Sequence, residues 1–273
     1  MIDKTFELID RFQPLPIHIP LNKVELEGVI ETLYLQMFPF DIKIGAHECR
    51  FKLKESAVIL SDSITRLKDN DFAEQVVYEF FKQLPEIQSQ LYKDAACYLK
   101  NDPAAKSIEE VIIAYPGFFA LSVHRIAHAL HNLGVPLIPR LFAEYAHSKV
   151  GIDIHPAAIV GNNLFLDHGT GIVIGETTEI GNNVKIYQGV TLGALYVEKK
   201  LSNSKRHPTI EDDVVIYSNA TILGGDTVIG HNSTIGGGAW LTRSVIPYSL
   251  VYNSVDVKIK TVKSFVQPND FVI

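Results

Sequence analysis

Residues 172–193 read IVIGETTEIGNNVKIYQGVTLG, and an aliphatic side chain returns at every sixth place: Ile174, Ile180, Ile186, Leu192. The same beat extends outward in both directions. Before it come Ile154, Val160 and Leu166; after an interruption it resumes at Ile210, Ile216, Ile222, Ile229, Ile235 and Leu241. The next position is often Gly or acidic, as at Gly161, Gly175, Gly181, Glu211, Gly230 and Gly236. Four places on, a small or branched residue recurs: Leu164, Thr170, Thr178, Val184, Val190, Val214, Ala220, Ser233, Ala239. A short fixed period of this kind predicts a left-handed parallel β-helix of hexapeptide repeats, each repeat forming one flat face of a coil. The aliphatic residue points inward and stacks on its equivalents, and the small residue fits the corner. Glycine and the pairs Asn162-Asn163 and Asn182-Asn183 supply the unusual corner dihedrals.

Outside this prism the chain reads as helical, so the fold class expected is α + β. A helical domain spans 1–145, the hexapeptide prism 146–246 and a tail 247–273. Apolar residues fall at helical spacing over 24–35 and 72–81. Pro85 is placed to open a further helix toward Leu99, since proline suits a first turn. Asn101-Asp102-Pro103 has the form of a cap-plus-proline helix start. Pro116-Gly117 breaks the chain before a helix from Phe118 to His131, and 136–149 leads into the prism. The bland assignment of this half is packing and oligomerisation.

The 273 residues carry a net charge of -6, with 47% hydrophobic and 21% charged residues. That is an ordinary globular composition, and its sign argues against nucleic acid or an anionic membrane as main partner. No basic flank precedes an apolar run at the N-terminus, and no apolar stretch reaches the length of a membrane span. The two cysteines, Cys49 and Cys97, cannot form a disulfide framework and point to a reducing cytoplasm. His124, His128 and His131 have spacings of three and four, yet no acidic residue completes a metal motif, so they read as core or surface histidines. No metal is expected.

Three chemically loaded clusters lie in the prism: Asp153-Ile154-His155-Pro156-Ala157-Ala158, the run from Leu166 to Thr177, and Arg206-His207-Pro208. The strings DIHPAA, LDH, TGIVIGET, VTLG and RHP, in this order, resemble serine O-acetyltransferase of the hexapeptide acyltransferase superfamily, over about residues 101–246. The resemblance implies acetyl transfer from acetyl-CoA to L-serine, the first step of cysteine biosynthesis. Such a reaction needs a base for the hydroxyl proton and donors for the developing oxyanion. A neutral imidazole is the natural base. His168 follows Asp167 and matches the family's base in context; Asp153 would accept the other ring N–H, as an orienting carboxylate does. For zwitterionic serine the resemblance supplies Asp102 and Asp167 toward the ammonium, and Arg206 with His207 as cations toward the carboxylate. Asp102 could instead be no more than a helix cap, and His155 is left between orienting and packing.

The family's habit of laying the pantetheine arm along a prism edge puts acetyl-CoA beside Gly193, Ala194, Ser218 and Gly237. Acetyl-CoA is then a co-substrate, with no permanently bound cofactor. This chain departs from the family in having Ala194 for a second glycine, a long basic loop 195–205, and Tyr217-Ser218-Asn219-Ala220 for a run of small residues. Neither cysteine lies in the prism, so direct transfer in a ternary complex is expected. The resemblance also implies a homotrimer or dimer of trimers, L-cysteine as feedback inhibitor, and insertion of the terminal Ile273 into O-acetylserine sulfhydrylase. Two competing readings remain: an acyltransferase for another hydroxyl acceptor such as homoserine, and a prism-type zinc carbonic anhydrase. The latter would need three converging histidines from among His155, His168, His207 and His231.

Overall fold

The structure, a computed structural model, describes residues 2–13, 17, 19–38, 45–195 and 204–254. The loop 196–203, with Lys199 and Lys200, and the tail with Ile273 lie outside the described residues. Among the described residues seven helices come first: α1 (Ile2–Asp10), α2 (Lys23–Met37), α3 (Ala46–Thr65), α4 (Asn70–Asn101), α5 (Ile108–Ala114), α6 (Pro116–Asn132) and α7 (Ile138–Val150). Four boundaries differ from expectation: α7 runs past the domain end expected at 145, a last prism strand at Leu250–Val251 lies inside the stretch expected as tail, and two helix starts are displaced. Pro85 lies inside the 32-residue α4 rather than starting a helix. Its missing N–H forfeits one ladder bond, but Leu84, Ile87 and Leu91 all bury the same face, and that packing carries the helix through. Asp102 starts no helix either. It is the C-cap of α4, and the N-cap of α5 is Ser107, whose hydroxyl accepts from Glu110 N–H at 3.1 Å.

The prism follows as three parallel sheets, one per face. The first contains β1 (Asp153–Ile154), β4 (Val173–Ile174), β7 (Thr191–Gly193), β10 (Thr221–Leu223) and β13 (Trp240–Leu241). The second contains β2 (Ile159–Val160), β5 (Glu179–Ile180), β8 (Thr209–Ile210) and β11 (Val228–Ile229). The third contains β3 (Phe165–Asp167), β6 (Lys185–Tyr187), β9 (Val215–Ile216), β12 (Thr234–Ile235) and β14 (Leu250–Val251). Register stacks the predicted aliphatics directly, Ile154 on Ile174 on Leu192 on Ile222 on Leu241. The small-residue positions are buried as expected, with one exception: Thr170 is exposed and Ile172 fills the interior instead.

The paired asparagines divide their work. Asn163 and Asn183 adopt the left-handed conformation, at φ 60° and 58°, and ladder through their side chains to Asp213. Asn182 instead accepts from the backbone N–H of Asn162, and Asp212 from that of Asn182.

The helices are fastened to the first coils by a continuous core. Phe165 faces outward on β3 yet is 2% exposed, because Tyr98 of α4 covers it with ring centroids 4.9 Å apart. Gly117 allows α6 to lie against Leu166, whose carbonyl an added Cβ would strike. A buried ion pair joins Arg125 of α6 to Asp94 of α4 at 2.7 Å. Arg125 also donates to the Gly161 carbonyl at 2.9 Å, and Asp94 accepts from Asn163 N–H at 2.9 Å. Among the described residues no single helix is long and apolar enough to cross a membrane. The pair α5 and α6 meets that test together but is bent by 77°, and α6 is mostly buried in the core.

Candidate active site

Between Leu166 and Ile174 the aliphatic beat stretches to eight residues instead of six. The two extra residues bulge out at the corner between the third and first sheets, and His168 is on the bulge. It adopts φ 56°, a left-handed conformation uncommon for a non-glycine residue and found where surrounding structure over-determines the geometry. Its side chain is 73% exposed, with Nε2 3.9 Å from Asp167 Oδ1.

Asp102 reaches the same corner from the end of α4. Its Oδ1 accepts from Ala104 N–H at 2.8 Å and its Oδ2 from the Tyr115 hydroxyl at 2.5 Å. The Tyr115 hydrogen bond, then that from Ala104, holds the Asp102 carboxyl below the usual range, and the charge of His168 acts in the same direction. In return the Asp102 carboxylate pushes the Tyr115 phenol up to about 12. Tyr187, stacked on Tyr217 with centroids 4.9 Å apart, is raised by burial and then by Asp167, Tyr217 and Asp102. Asp102, Tyr115, Asp167, His168 and Tyr187 thus share one field, which we call the acid corner. The tyrosines carried no motif in the sequence.

Asp153 is not hydrogen-bonded to His168 within the chain, contrary to expectation. It faces outward from the first sheet, in register with Val173, and its carboxylate lies with Glu144 and His147 of α7, their ligand atoms within 4.8 Å of one another. The two residues nevertheless share a corner, since Gly171 N–H donates to the Gly151 carbonyl at 2.7 Å and stacks the His168 turn over the start of β1.

Arg206 and His207 stand elsewhere, between β7 and β8, at the corner joining the first and second sheets. Arg206 pairs with Glu176. Thr177 organises this basic corner: its hydroxyl oxygen accepts from the Arg206 and His207 backbone N–H groups at 2.9 and 3.0 Å. Its own N–H donates to His207 Nδ1 at 3.1 Å, which leaves the proton of a neutral ring on Nε2. The ring lies over Gly175, where any Cβ would overlap it. Burial, then Arg206, lowers His207 to about 4. His207 therefore offers a neutral donor where a cation was expected. Burial likewise lowers His155 to about 4, and its Nδ1 accepts from Ala157 N–H at 3.1 Å. His155 feels Glu176 and Arg206, so it belongs to the basic corner.

The residues expected along the pantetheine arm divide the same way. Ser218 and Gly237 follow third-sheet strands on the acid-corner edge, where Gly238 N–H donates to the Ser218 carbonyl at 2.9 Å. Gly193 and Ala194 lie at the end of β7, on the basic-corner edge. Within one chain the packed prism interior separates the two edges. Among the described residues no group of three histidines converges on a common point; the one cluster of metal-ligating atoms contains a single histidine.

The chain is 52% identical over 263 residues to a serine acetyltransferase (plasmid) of Synechococcus elongatus, covering 87% of this chain and 82% of that protein. It is 45% identical over 172 residues to the serine acetyltransferase of Bacillus subtilis, covering 63% and 74%. Among solved structures it resembles serine acetyltransferase isoform 3 of Entamoeba histolytica in complex with cysteine, with TM-score 0.78 and 34% identity over 92% of this chain and 87% of that one. It also resembles the Neisseria gonorrhoeae serine acetyltransferase in complex with serine, with TM-score 0.60 and 27% identity over 89% and 98%. No protein-family model matches the chain.

Proposed function

Because this chain belongs to the serine acetyltransferase family, we propose that it transfers acetyl from acetyl-CoA to the L-serine hydroxyl, giving O-acetylserine. The observation that carries this reading is the acid corner, where an exposed imidazole stands beside two carboxylates suited to an ammonium group. His168 takes the proton from serine Oγ as that oxygen attacks the thioester carbonyl. Asp153 receives the other ring N–H once the ring turns toward it. The tetrahedral intermediate then expels the CoA thiolate, and the imidazolium returns the proton to sulfur. Asp102 and Asp167 hold the ammonium; Arg206 and the Nε2–H of His207 hold the carboxylate.

The separation of the acid and basic corners supports a homotrimer, or a dimer of trimers, in which the acid corner of one prism meets the basic corner of its neighbour. Acetyl-CoA would lie in the same seam, touching Ser218 and Gly237 of one copy and Gly193 and Ala194 of the next. Direct transfer is favoured because Cys49 and Cys97 both lie on helices, and burial raises the Cys97 thiol. Acetyl-CoA consumption by the purified protein, read as CoA release, is expected to depend on L-serine. Homoserine should be used only weakly, since one methylene is worth roughly 1–3 kcal/mol in a pocket. No acetyl-enzyme should accumulate without serine, and the protein should sediment as three or six chains. Serine-independent turnover, or a monomer with full activity, overturns the reading.

L-cysteine, alike in shape and charge, is proposed to occupy the serine site as feedback inhibitor, in the cytoplasm where this biosynthetic step would run. The tail ending in Ile273 is proposed to enter the active site of O-acetylserine sulfhydrylase. A synthetic decapeptide of residues 264–273 is expected to inhibit that enzyme competitively, and absence of inhibition removes the partner.

A further inference from the structure

Asp102 is the C-cap that follows α4, on a short link before α5, where nothing in regular structure fixes its side chain. Two donors do so instead: Ala104 N–H on one oxygen and the Tyr115 hydroxyl on the other, at 2.8 and 2.5 Å. Tyr115 is itself well anchored. It is the N-cap residue of α6, ahead of Pro116, and its N–H donates to the Val111 carbonyl at 3.1 Å. Its ring stands edge-on to Tyr98, with centroids 6.1 Å apart. Tyr98 is fully buried, and its hydroxyl accepts from the N–H of Leu166, the residue before Asp167, at 3.1 Å. A chain of two tyrosines therefore runs from Asp102 to the strand that carries Asp167.

From this geometry we infer that Tyr115 is a positioning residue for the amino-acid substrate, fixing the plane of the Asp102 carboxylate and its spacing from Asp167. The inference rests on the proposed role of Asp102 toward the serine ammonium. An ammonium needs oxygens in fixed directions, and a carboxylate held at one oxygen can still swing about its Cβ–Cγ bond. In this reading Tyr115 acts on the substrate only through the Asp102 carboxylate to which its hydroxyl donates. Its loss should therefore weaken acceptor binding without slowing transfer in the filled site.

Tyr115→Phe keeps the ring on Tyr98 and removes only the donor. Hydrogen bonds to charged groups set the scale, and a roughly tenfold rise in KM for L-serine is expected. L-cysteine inhibition should weaken by a similar factor, with kcat and the KM for acetyl-CoA changing less than about twofold. Asp102→Asn, assayed alongside, separates the two levels of the argument. If Asp102→Asn raises the serine KM and Tyr115→Phe leaves it unchanged, the positioning role is wrong while the Asp102 reading stands. If Asp102→Asn itself leaves the serine KM unchanged, the Asp102 reading falls and takes this inference with it. Equal losses toward both substrates with a lowered Tm would make Tyr115 a packing residue and overturn the proposal.

Discussion

Replacing His168 by alanine is expected to lower kcat by about two to four orders of magnitude, the usual contribution of a general base. The loss should come without unfolding, because the ring is 73% exposed and contributes little to the core. KM for acetyl-CoA should change little, since the role proposed for His168 is toward the other substrate. The backbone calls for one control. With φ at 56° the position favours residues that tolerate the left-handed region, so His168→Asn removes the base with less strain than alanine. Both variants should be equally inactive in CoA release with L-serine, and equally folded by circular dichroism. Turnover near that of the parent in either one would remove His168 as the base and the proposed mechanism with it.

The largest stability effect is expected inside the junction between helices and prism. Arg125→Leu leaves Asp94 with no cation in a site where the two side chains are 5% and 0% exposed. Burial pushes the Asp94 carboxyl up, and Arg125 is foremost among the groups drawing it back. Breaking such a pair on one side typically costs about 3–5 kcal/mol, whereas replacing both partners by apolar residues is often close to neutral. The single variant should therefore unfold at markedly lower urea than the double variant Arg125→Leu with Asp94→Leu. The difference between them, rather than either value alone, measures the stranded charge. A loss below about 1 kcal/mol for Arg125→Leu would mean that water reaches the stranded Asp94, and that the pair does not hold the junction.

Much of this molecule was legible before any coordinates. Interior stacking follows directly from the aliphatic beat, since a coil of three six-residue faces returns each aliphatic to the same column. The chemistry-bearing strings also carry the candidate site residues. What the sequence concealed had local causes. Pro85 looked like a helix start because propensity records the lost hydrogen bond and not the buried neighbours that offset it. Asp102 looked like a cap for the next helix, when Ser107 performs that task five residues later. The assignment of His168 to one edge and Arg206 to another depends on counting through an eight-residue step and an inserted loop, and a motif string carries no such count. Tyr115 was invisible for a simpler reason: its partner is thirteen residues away across two helix ends.

The stacked coils also act as a graduated scale. Asp167, Tyr187, Tyr217 and Gly236 follow one another up the third sheet, one per coil. Neighbouring strands lie about 4.8 Å apart, so three steps separate the Asp167 level from the Gly236 level by roughly 14 Å. Such a span changes only by whole rungs. Any lineage that lengthened or shortened its reach between acceptor and the far end of the thioester donor would have to gain or lose an entire turn of chain, and fine adjustment would fall to the loops at the edges.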